Sequence, residues 1–142
     1  MIDSKTVLAK TMRAAQMGQV GIRCVLKYPV ESRLHAALRS QLREYGMMER
    51  QANTLAFSRG WELKDLNPAI KTMVNVSARM KLRGKDKGSK TASMVLKGNT
   101  MGMIESLKNL HQYSGSDQGV TQLAQHLLET EKENIAQMQG FI

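Results

Sequence analysis

The chain has few of the residues that build β-strands or break helices. It contains two prolines, three tyrosines, two phenylalanines and one tryptophan among 142 residues, together with eleven methionines. Leu, Ala, Met, Lys, Gln and Glu, which are frequent here, favour helices, whereas strands favour aromatic and β-branched residues. The composition therefore predicts an all-α fold.

Cysteine and long apolar runs are also scarce. Cys24 is the single cysteine, which excludes an internal disulfide. No apolar run reaches the ~18 to 20 residues of a membrane span, and the first residues lack the continuous apolar stretch of a signal peptide. We therefore expect a cytoplasmic protein with no membrane partner. A chain of this length can bury one core, so residues 1–142 are expected to form a single domain.

The sequence lacks the familiar catalytic motifs. No Ser, His and acid combination, glycine-rich phosphate loop or Cys and His cluster occurs at a meaningful spacing. The methionines stand at core spacings, where they fill space rather than bind copper, and Cys24 is expected to pack rather than react. These absences argue against an enzyme, and no cofactor is expected.

Apolar residues recur at alternating spacings of four and three along four segments. This pattern is typical of amphipathic helices that pack into a bundle. Asp3 or Ser4 can cap the first segment, Pro29 ends it, and Gly60 ends the second. The predicted long helices cover residues 4–28, 31–59, 89–113 and 117–141.

Two short connections make each pair of neighbouring long helices an antiparallel hairpin. Residues 61–88 join the two hairpins as a crossover. Within it, Asn67 as a cap and Pro68 at the first helical position predict a short helix over residues 67–83. Ser89 is the expected cap of the next long helix.

Each long stripe has a polar interruption at a similar depth. Gln19 lies about ten residues before the first turn and Gln41 about eleven after it, while Asn99 and Glu131 lie about sixteen and fifteen residues from the second turn. A helix rises ~1.5 Å per residue, so each pair meets within a turn. One turn further along the same sides stand two more polar residues. The sequence predicts a central polar layer of Gln19, Gln41, Glu44, Asn99, Glu131 and Asn134.

Two hairpins, a long crossover and a polar layer at mid-height resemble the ferritin-like four-helix bundle of di-iron carboxylate proteins. In that family the first and third helices each give a Glu, and the second and fourth each give Glu-x-x-His. By this resemblance, Gln19 and Asn99 stand at the positions of the lone Glu residues. Gln41-Leu-Arg-Glu44 and Glu131-Lys-Glu-Asn134 stand at the positions of the paired ligands.

More narrowly, the chain resembles a degenerate branch of short, uncharacterised bacterial proteins of this superfamily. The resemblance rests on Gly98-Asn-Thr-Met-Gly102 and on the Leu-Glu-Thr-Glu-x-x-Asn-Ile sequence at residues 128–135. These proteins lack the full di-iron ligand set, and the resemblance implies no particular activity.

The departures from the di-iron pattern predict a layer without metal. Two carboxylates, Glu44 and Glu131, cannot neutralise two iron ions, and neutral amides are weak ligands for them. We expect the amides to satisfy one another and the carboxylates by hydrogen bonds. A buried carboxyl without a basic partner is costly to ionise, so the pKa of Glu131 is expected to be raised. Glu131 is then expected to donate a hydrogen bond to Gln19, Gln41 or Asn99.

The formal net charge is +9, and the basic residues are spread along the chain. The sharpest charge feature is the segment 79–90, whose six basic residues are opposed there only by Asp86. These residues could contact the phosphates of a polyanion, as the lysine-rich tails of starvation-type mini-ferritins do with DNA. The segment lacks aromatic residues for base stacking, which favours a solvated loop instead. The candidate polyanion contacts are Arg79, Lys81, Arg83, Lys85, Lys87 and Lys90.

Three functions follow as hypotheses. The leading one is an interaction or structural module without a catalytic metal site, acting as a homo-oligomer or with an unknown protein partner. The alternative is nucleic-acid binding through the basic crossover at residues 79–90. Residual binding of a divalent metal is a further alternative.

Overall fold

The chain folds into five helices, as shown by a computed structural model that describes residues 1–84 and 87–142. The helices are α1 (Ser4–Val25), α2 (Ser32–Arg59), α3 (Pro68–Lys81), α4 (Lys87–Gln112) and α5 (Gln118–Gln139). The described residues include no β-strand, only an isolated bridge between Ile2 and Tyr113. The all-α class and the extra short helix in the crossover are confirmed.

Side-chain oxygens cap the N-termini of three of the helices. The Asp3 carboxylate accepts a hydrogen bond from the Thr6 amide at 2.8 Å. Asn67 caps α3 in the same way, with Pro68 as the first helical residue. Asp117 caps α5 by accepting from the amide of Val120 at 3.2 Å. These caps satisfy backbone donors that have no partner inside the helix.

Four of the predicted helix bounds differ from the structure by two residues or more. Helices α3 and α5 end at Lys81 and Gln139, two residues before the predicted ends at 83 and 141. Helix α1 ends at Val25 rather than at residue 28, because the amides of Lys27 and Tyr28 turn back to Cys24 and Val25 in a tighter turn. Pro29 disfavours the helical conformation at the residue before it. Helix α4 begins at Lys87 rather than at Ser89, so Ser89 is not its cap. The residue before α4, Asp86, lies outside the described residues.

Backbone hydrogen bonds of Ile2, near the N-terminus, show how the two hairpins are oriented relative to each other. The Ile2 amide donates to the carbonyl of Gln112 at 2.8 Å, and the Ser114 amide donates to the carbonyl of Ile2 at 2.9 Å. These bonds place the start of α1 beside the end of α4, so α1 and α4 are antiparallel. Since α1 is also antiparallel to its hairpin partner α2, helices α2 and α4 run parallel. The crossover therefore travels the length of the bundle, as in ferritin-like folds.

The predicted stripes form the core. The side chains at the four-and-three spacings of α1, α2 and α5 are almost all buried between the two hairpins. Among them, burial is complete or nearly so for Leu8, Met12, Ala15, Leu34, Leu38, Met48, Ala52, Leu127 and Met138.

Helix α3 lies against α1 and touches α4 only lightly. The Gln16 side-chain oxygen accepts from the Leu66 amide at 2.9 Å, just before the helix begins. Further along, Lys27 Nζ donates to the Asn75 side chain at 3.0 Å. Ala78 is the residue of α3 that is fully buried. In the described ranges, all helices are too short or too polar to cross a membrane.

We expect Asp117→Ala to lower the free energy of unfolding by about 1 kcal/mol, because it removes the α5 cap. Asp117 also pairs with Arg59 Nε at 2.8 Å, but an ion pair at the protein surface contributes little. Urea denaturation of the two proteins measures the difference. Asp117→Asn is the matched control, since it keeps a capping oxygen and loses the charge. A loss with Asn as large as with Ala would show that the ion pair, and not the cap, is the stabilising contact.

Candidate functional site

Four buried polar side chains from α2, α4 and α5 meet at the centre of the bundle. The hydroxyl of Tyr45 donates to Glu131 Oε2 at 2.9 Å. Asn99 Nδ2 donates to the Tyr45 oxygen at 3.1 Å and lies 3.4 Å from Glu131 Oε2. Asn134 Nδ2 donates to the Tyr45 oxygen at 3.3 Å. We call Tyr45, Asn99, Glu131 and Asn134 the central cluster.

Tyr45 is the member that the sequence analysis did not assign to a polar layer. It stands in the apolar stripe of α2, where an aromatic residue reads as a core residue. Its side chain is 1% exposed, and a buried tyrosine hydroxyl normally has a hydrogen-bond partner. Because Tyr45 lies one turn after Gln41, the need of its hydroxyl for a buried partner is the signal that could have placed it in the polar layer.

Two glycines leave the room that the cluster occupies. A Cβ atom on Gly18 would lie 2.6 Å from Cε2 of the Tyr45 ring, and one on Gly102 would lie 2.7 Å from Glu131 Oε1. Real Cβ atoms are essentially never found that close to another heavy atom. Gly18 on α1 and Gly102 on α4 therefore allow the tyrosine ring and the carboxyl group to fit between the helices.

Burial controls the protonation of the cluster. Removal from water raises the pKa of Glu131 from 4.5 to about 7, against the opposing effect of the hydrogen bonds from Tyr45 and Asn99. Burial, followed by the nearby charge of Glu131, also raises the pKa of Tyr45. The expected direction for Glu131 is thus confirmed. Of the three expected partners, Asn99 lies at hydrogen-bond distance from Glu131, but it donates rather than accepts. Gln19 and Gln41 have other partners, and the Tyr45 hydroxyl is the second donor to Glu131.

The structure places the other three predicted members outside the cluster. Gln19 is buried, but its Nε2 donates to Glu49 Oε1 at 2.7 Å and to the carbonyl of Ala15 at 3.3 Å. Glu49 also accepts from Gln16 at 2.9 Å. The sequence analysis missed this contact between α1 and α2 because Glu49 does not lie on the apolar stripe.

Gln41 and Glu44 belong to the α2–α5 side of the bundle. Gln41 Nε2 donates to Gln137 Oε1 at 2.8 Å. The side chain of Glu44 is 45% exposed and lies 3.9 Å from His126 Nε2. Glu44 is therefore a surface residue and not part of a central layer, since a position three residues after Gln41 points away from the helix face that carries Tyr45.

The cluster does not fit the di-iron group that the resemblance implies. Tyr45, Asn99 and Asn134 all direct hydrogen-bond donors to the centre, and the positive ends of these donors would repel a cation. Glu131 is the cluster's single carboxylate, whereas two iron ions need several anionic ligands. In residues 1–84 and 87–142, no group of three or more His, Cys, Asp or Glu residues is arranged to hold a metal ion.

The predicted polyanion contacts are exposed wherever they are described. Arg79, Lys81, Arg83, Lys87 and Lys90 all have exposed side chains. Lys90 Nζ donates to the carbonyl of Arg83 at 2.6 Å, which links the start of α4 to the residues that follow α3. Lys85 lies outside the described residues.

Comparison with known proteins gives one structural likeness. The chain matches no protein-family model and no curated protein sequence. Its fold is similar to the crystal structure of the E. coli stress protein YciF, with a TM-score of 0.55 and 10% sequence identity. The match covers 97% of this chain and 86% of that chain. It supports the ferritin-like bundle, and at this identity it supports the fold alone.

We expect Glu131→Gln to stabilise the protein at neutral and alkaline pH. The pKa of Glu131 is about 7 in the folded protein, against an ordinary value of 4.5. The free energy of unfolding of the wild type therefore falls as the pH rises from 4.5 to 7, and it stays at that lower value at higher pH. Gln matches the neutral acid in shape and does not titrate. The gain should be near zero at pH 4 and approach roughly 3 kcal/mol above pH 8, at ~1.4 kcal/mol per pKa unit. Urea denaturation at both pH values measures it.

Glu131→Leu serves as the contrasting variant. It leaves the Tyr45 hydroxyl and an Asn99 N–H without their shared acceptor, at a cost of ~1 to 3 kcal/mol for each unsatisfied group. Equal stability of the Gln and Leu variants at every pH would show that the hydrogen bonds to residue 131 contribute nothing.

Gly18→Ala and Gly21→Ala should have opposite effects, although the two residues lie one turn apart on α1. A Cβ atom at position 18 would lie 2.6 Å from the ring of the buried Tyr45. Overpacking of this kind typically costs about 1 to 3 kcal/mol. Ala at 21 meets nothing within 4 Å and should stabilise the helix by up to about 1 kcal/mol. Thermal unfolding compares them directly. Stabilisation by both would mean that Tyr45 moves aside freely.

Proposed function

We propose that this chain is a non-catalytic ferritin-like helical protein that acts through its surface as an interaction or structural module. It would belong to the bacterial branch of the superfamily that lacks the full di-iron ligand set. The proposal is supported by the chemistry of the central cluster, in which Glu131 is bound by donors that hold α2, α4 and α5 together. A carboxyl group that is used in this way stabilises the packing of the helices, so we place the function of the protein at its surface.

The outer face of α3 is the observation that carries the proposal. Met73, Val76 and Met80 are 69%, 51% and 67% exposed, and at roughly 100° per residue they share one side of the helix. The opposite side carries Val74 and the fully buried Ala78. A helix that is apolar on both faces normally has both faces covered, so the exposed stripe is typical of a contact surface.

The charge around this stripe restricts what covers it. Between Asp65 and Glu105 the sequence has eight Lys or Arg residues and a single acidic one, Asp86. A partner must either be acidic where it meets α3 or, in a homo-oligomer, bring like charges together. Salt screens the attraction in the first case and the repulsion in the second. The salt dependence of association therefore reports the kind of partner.

Sedimentation velocity tests the homo-oligomer, which is the simplest form of the proposal. We expect the wild type to associate and Met73→Ser/Met80→Ser to remain monomeric with unchanged helix content, because the double change removes most of the exposed apolar stripe. Met47→Ser is the matched control, since Met47 is an exposed methionine of α2, a helix that packs mainly on α1 and α5. Association should strengthen with added salt if two copies of α3 face each other.

A monomeric wild type at all concentrations would remove the homo-oligomer. Affinity capture with the wild type and with Met73→Ser/Met80→Ser then tests the remaining form, a different protein partner. Proteins bound by the wild type and by Met47→Ser, but not by the α3 variant, would support it. Identical proteins on all three baits would contradict the role of the α3 surface.

Nucleic-acid binding is the second candidate, favoured by the exposure of all five described basic residues of the segment 79–90. If it is correct, a mobility-shift titration should give an affinity that falls steeply with salt, because each phosphate contact releases bound counterions. Replacing Arg79, Lys81 and Arg83 by Gln should weaken binding and lower the salt slope by about three. Replacing Lys5, Lys10 and Arg13 of α1 is the charge-matched control. No binding by the wild type at low salt would eliminate this candidate.

A further inference from the structure

A groove runs along the outside of the bundle between α2 and α5. Among the described residues, three glutamates and no Lys or Arg line its middle section. These glutamates are Glu44, Glu129 and Glu133. The adjoining section includes Ala37 and Phe141, and its one basic residue, Arg33, lies over the Phe141 ring at 5.9 Å from the centroid. The two sections share Ser40 and Gln137, so the groove has an acidic part that continues into a more apolar part.

The carboxylates of the middle section are only partly balanced within the chain. Glu44 lies 3.9 Å from His126 Nε2, and Glu129 lies 3.5 Å from Lys132 Nζ. In the described ranges, Glu133 has no basic group within 4.0 Å. The whole chain has a net charge of +9, so an acidic section is an exception on its surface and is suited to a basic partner.

The exposed side of α3 has the complementary properties in the same order. Its apolar stripe begins at Met73, and its basic residues gather towards the C-terminal end of the helix. At roughly 100° per residue, Arg79 and Lys81 lie on the two sides of the stripe, and both side chains are exposed. The surface of α3 is therefore apolar at its start and basic at its end.

We propose that the α3 surface of one copy binds in the α2–α5 groove of a second copy, with the apolar start of α3 near Ala37 and its basic end near Glu44. This inference rests on the function proposed above and names the surface that α3 contacts. Met80 follows Met73 by the same number of residues as Glu44 follows Ala37, which is ~10 Å along either helix. A contact between two α3 helices would bring like charges together, whereas this contact brings opposite charges together.

The positions of the two surfaces determine how such copies assemble. Helix α3 packs on α1 and lightly on α4, and the groove lies between α2 and α5, on the other side of the bundle. Each copy can therefore bind one neighbour through α3 and another through its groove. A contact of this head-to-tail kind continues beyond the dimer into a ring or a filament. Salt should weaken it, because salt screens the attraction between the basic and acidic surfaces.

Charge reversal in the groove tests the proposal by sedimentation velocity of the full chain. We expect Glu44→Lys/Glu133→Lys to weaken self-association by about tenfold or more, because like charges then face each other. Glu62→Lys/Glu105→Lys is the matched control, since it makes the same change in net charge at exposed glutamates outside the groove. Equal self-association of the two variants would overturn the proposal. Met47, the control position used above, lines neither section.

Mixing two defective variants is the decisive measurement, because it succeeds only if both are folded. Glu44→Lys/Glu133→Lys keeps its α3 surface, and Met73→Ser/Met80→Ser keeps its groove. Each should be monomeric alone, and the mixture should give a 1:1 dimer that does not grow further. A mixture that stays monomeric would overturn the proposal.

The same measurements separate this proposal from the function on which it rests. If the wild type and the groove variant associate but the α3 variant does not, or if salt strengthens association of the wild type, the α3 surface keeps its role and the groove is excluded as its partner. A wild type that is monomeric at all concentrations also overturns the groove proposal and leaves α3 to a different protein. Self-association of the α3 variant equal to that of the wild type contradicts the proposed function itself.

Discussion

The bundle is organised around one buried carboxyl group that accepts hydrogen bonds from two neighbouring helices. Burying a carboxyl is unfavourable unless its oxygens are satisfied, and Tyr45 and Asn99 satisfy Oε2 of Glu131. The tyrosine ring must cross the interior to do so, which requires Gly18. The carboxyl group must lie close to α4, which requires Gly102. The positions of Gly18 and Gly102, the raised pKa of Glu131 and the contacts between α2, α4 and α5 are all connected with this interaction.

The same interaction separates this chain from the metal-binding members of its fold class. In a di-iron bundle the interior groups are acceptors that face cations, whereas here the interior groups around Glu131 are donors that face its oxygen. Carboxylates that could add negative charge, such as Glu44 and Glu49, are directed to the surface or to other partners. The helices form a bundle with a long crossover, and hydrogen-bond donors that face a single carboxyl group line its centre.

The sequence predicted the helices well because local rules govern them. Periodic apolar residues identify which face of a helix is buried, and capping residues such as Asp3, Asn67 and Asp117 fix where helices begin. The predicted ends failed where several residues compete within one turn. At residues 26–28 a tighter turn replaced the last helical turn before Pro29, and α4 extended to Lys87, beyond the serine that looked like its cap.

The sequence by itself determined that Gln19, Gln41, Asn99, Glu131 and Asn134 point inward, because the direction of a side chain depends on its position in the helical repeat. Only the tertiary structure decided which of them meet. Gln19 and Gln41 bond to residues of neighbouring helices, α2 and α5 respectively, and the two asparagines and the glutamate meet at the hydroxyl of Tyr45 from the apolar stripe. A hydrogen bond forms over about 3 Å, while depth along a helix is known from sequence only to within a turn of ~5.4 Å. Helix packing and the length of each side chain supply the missing precision.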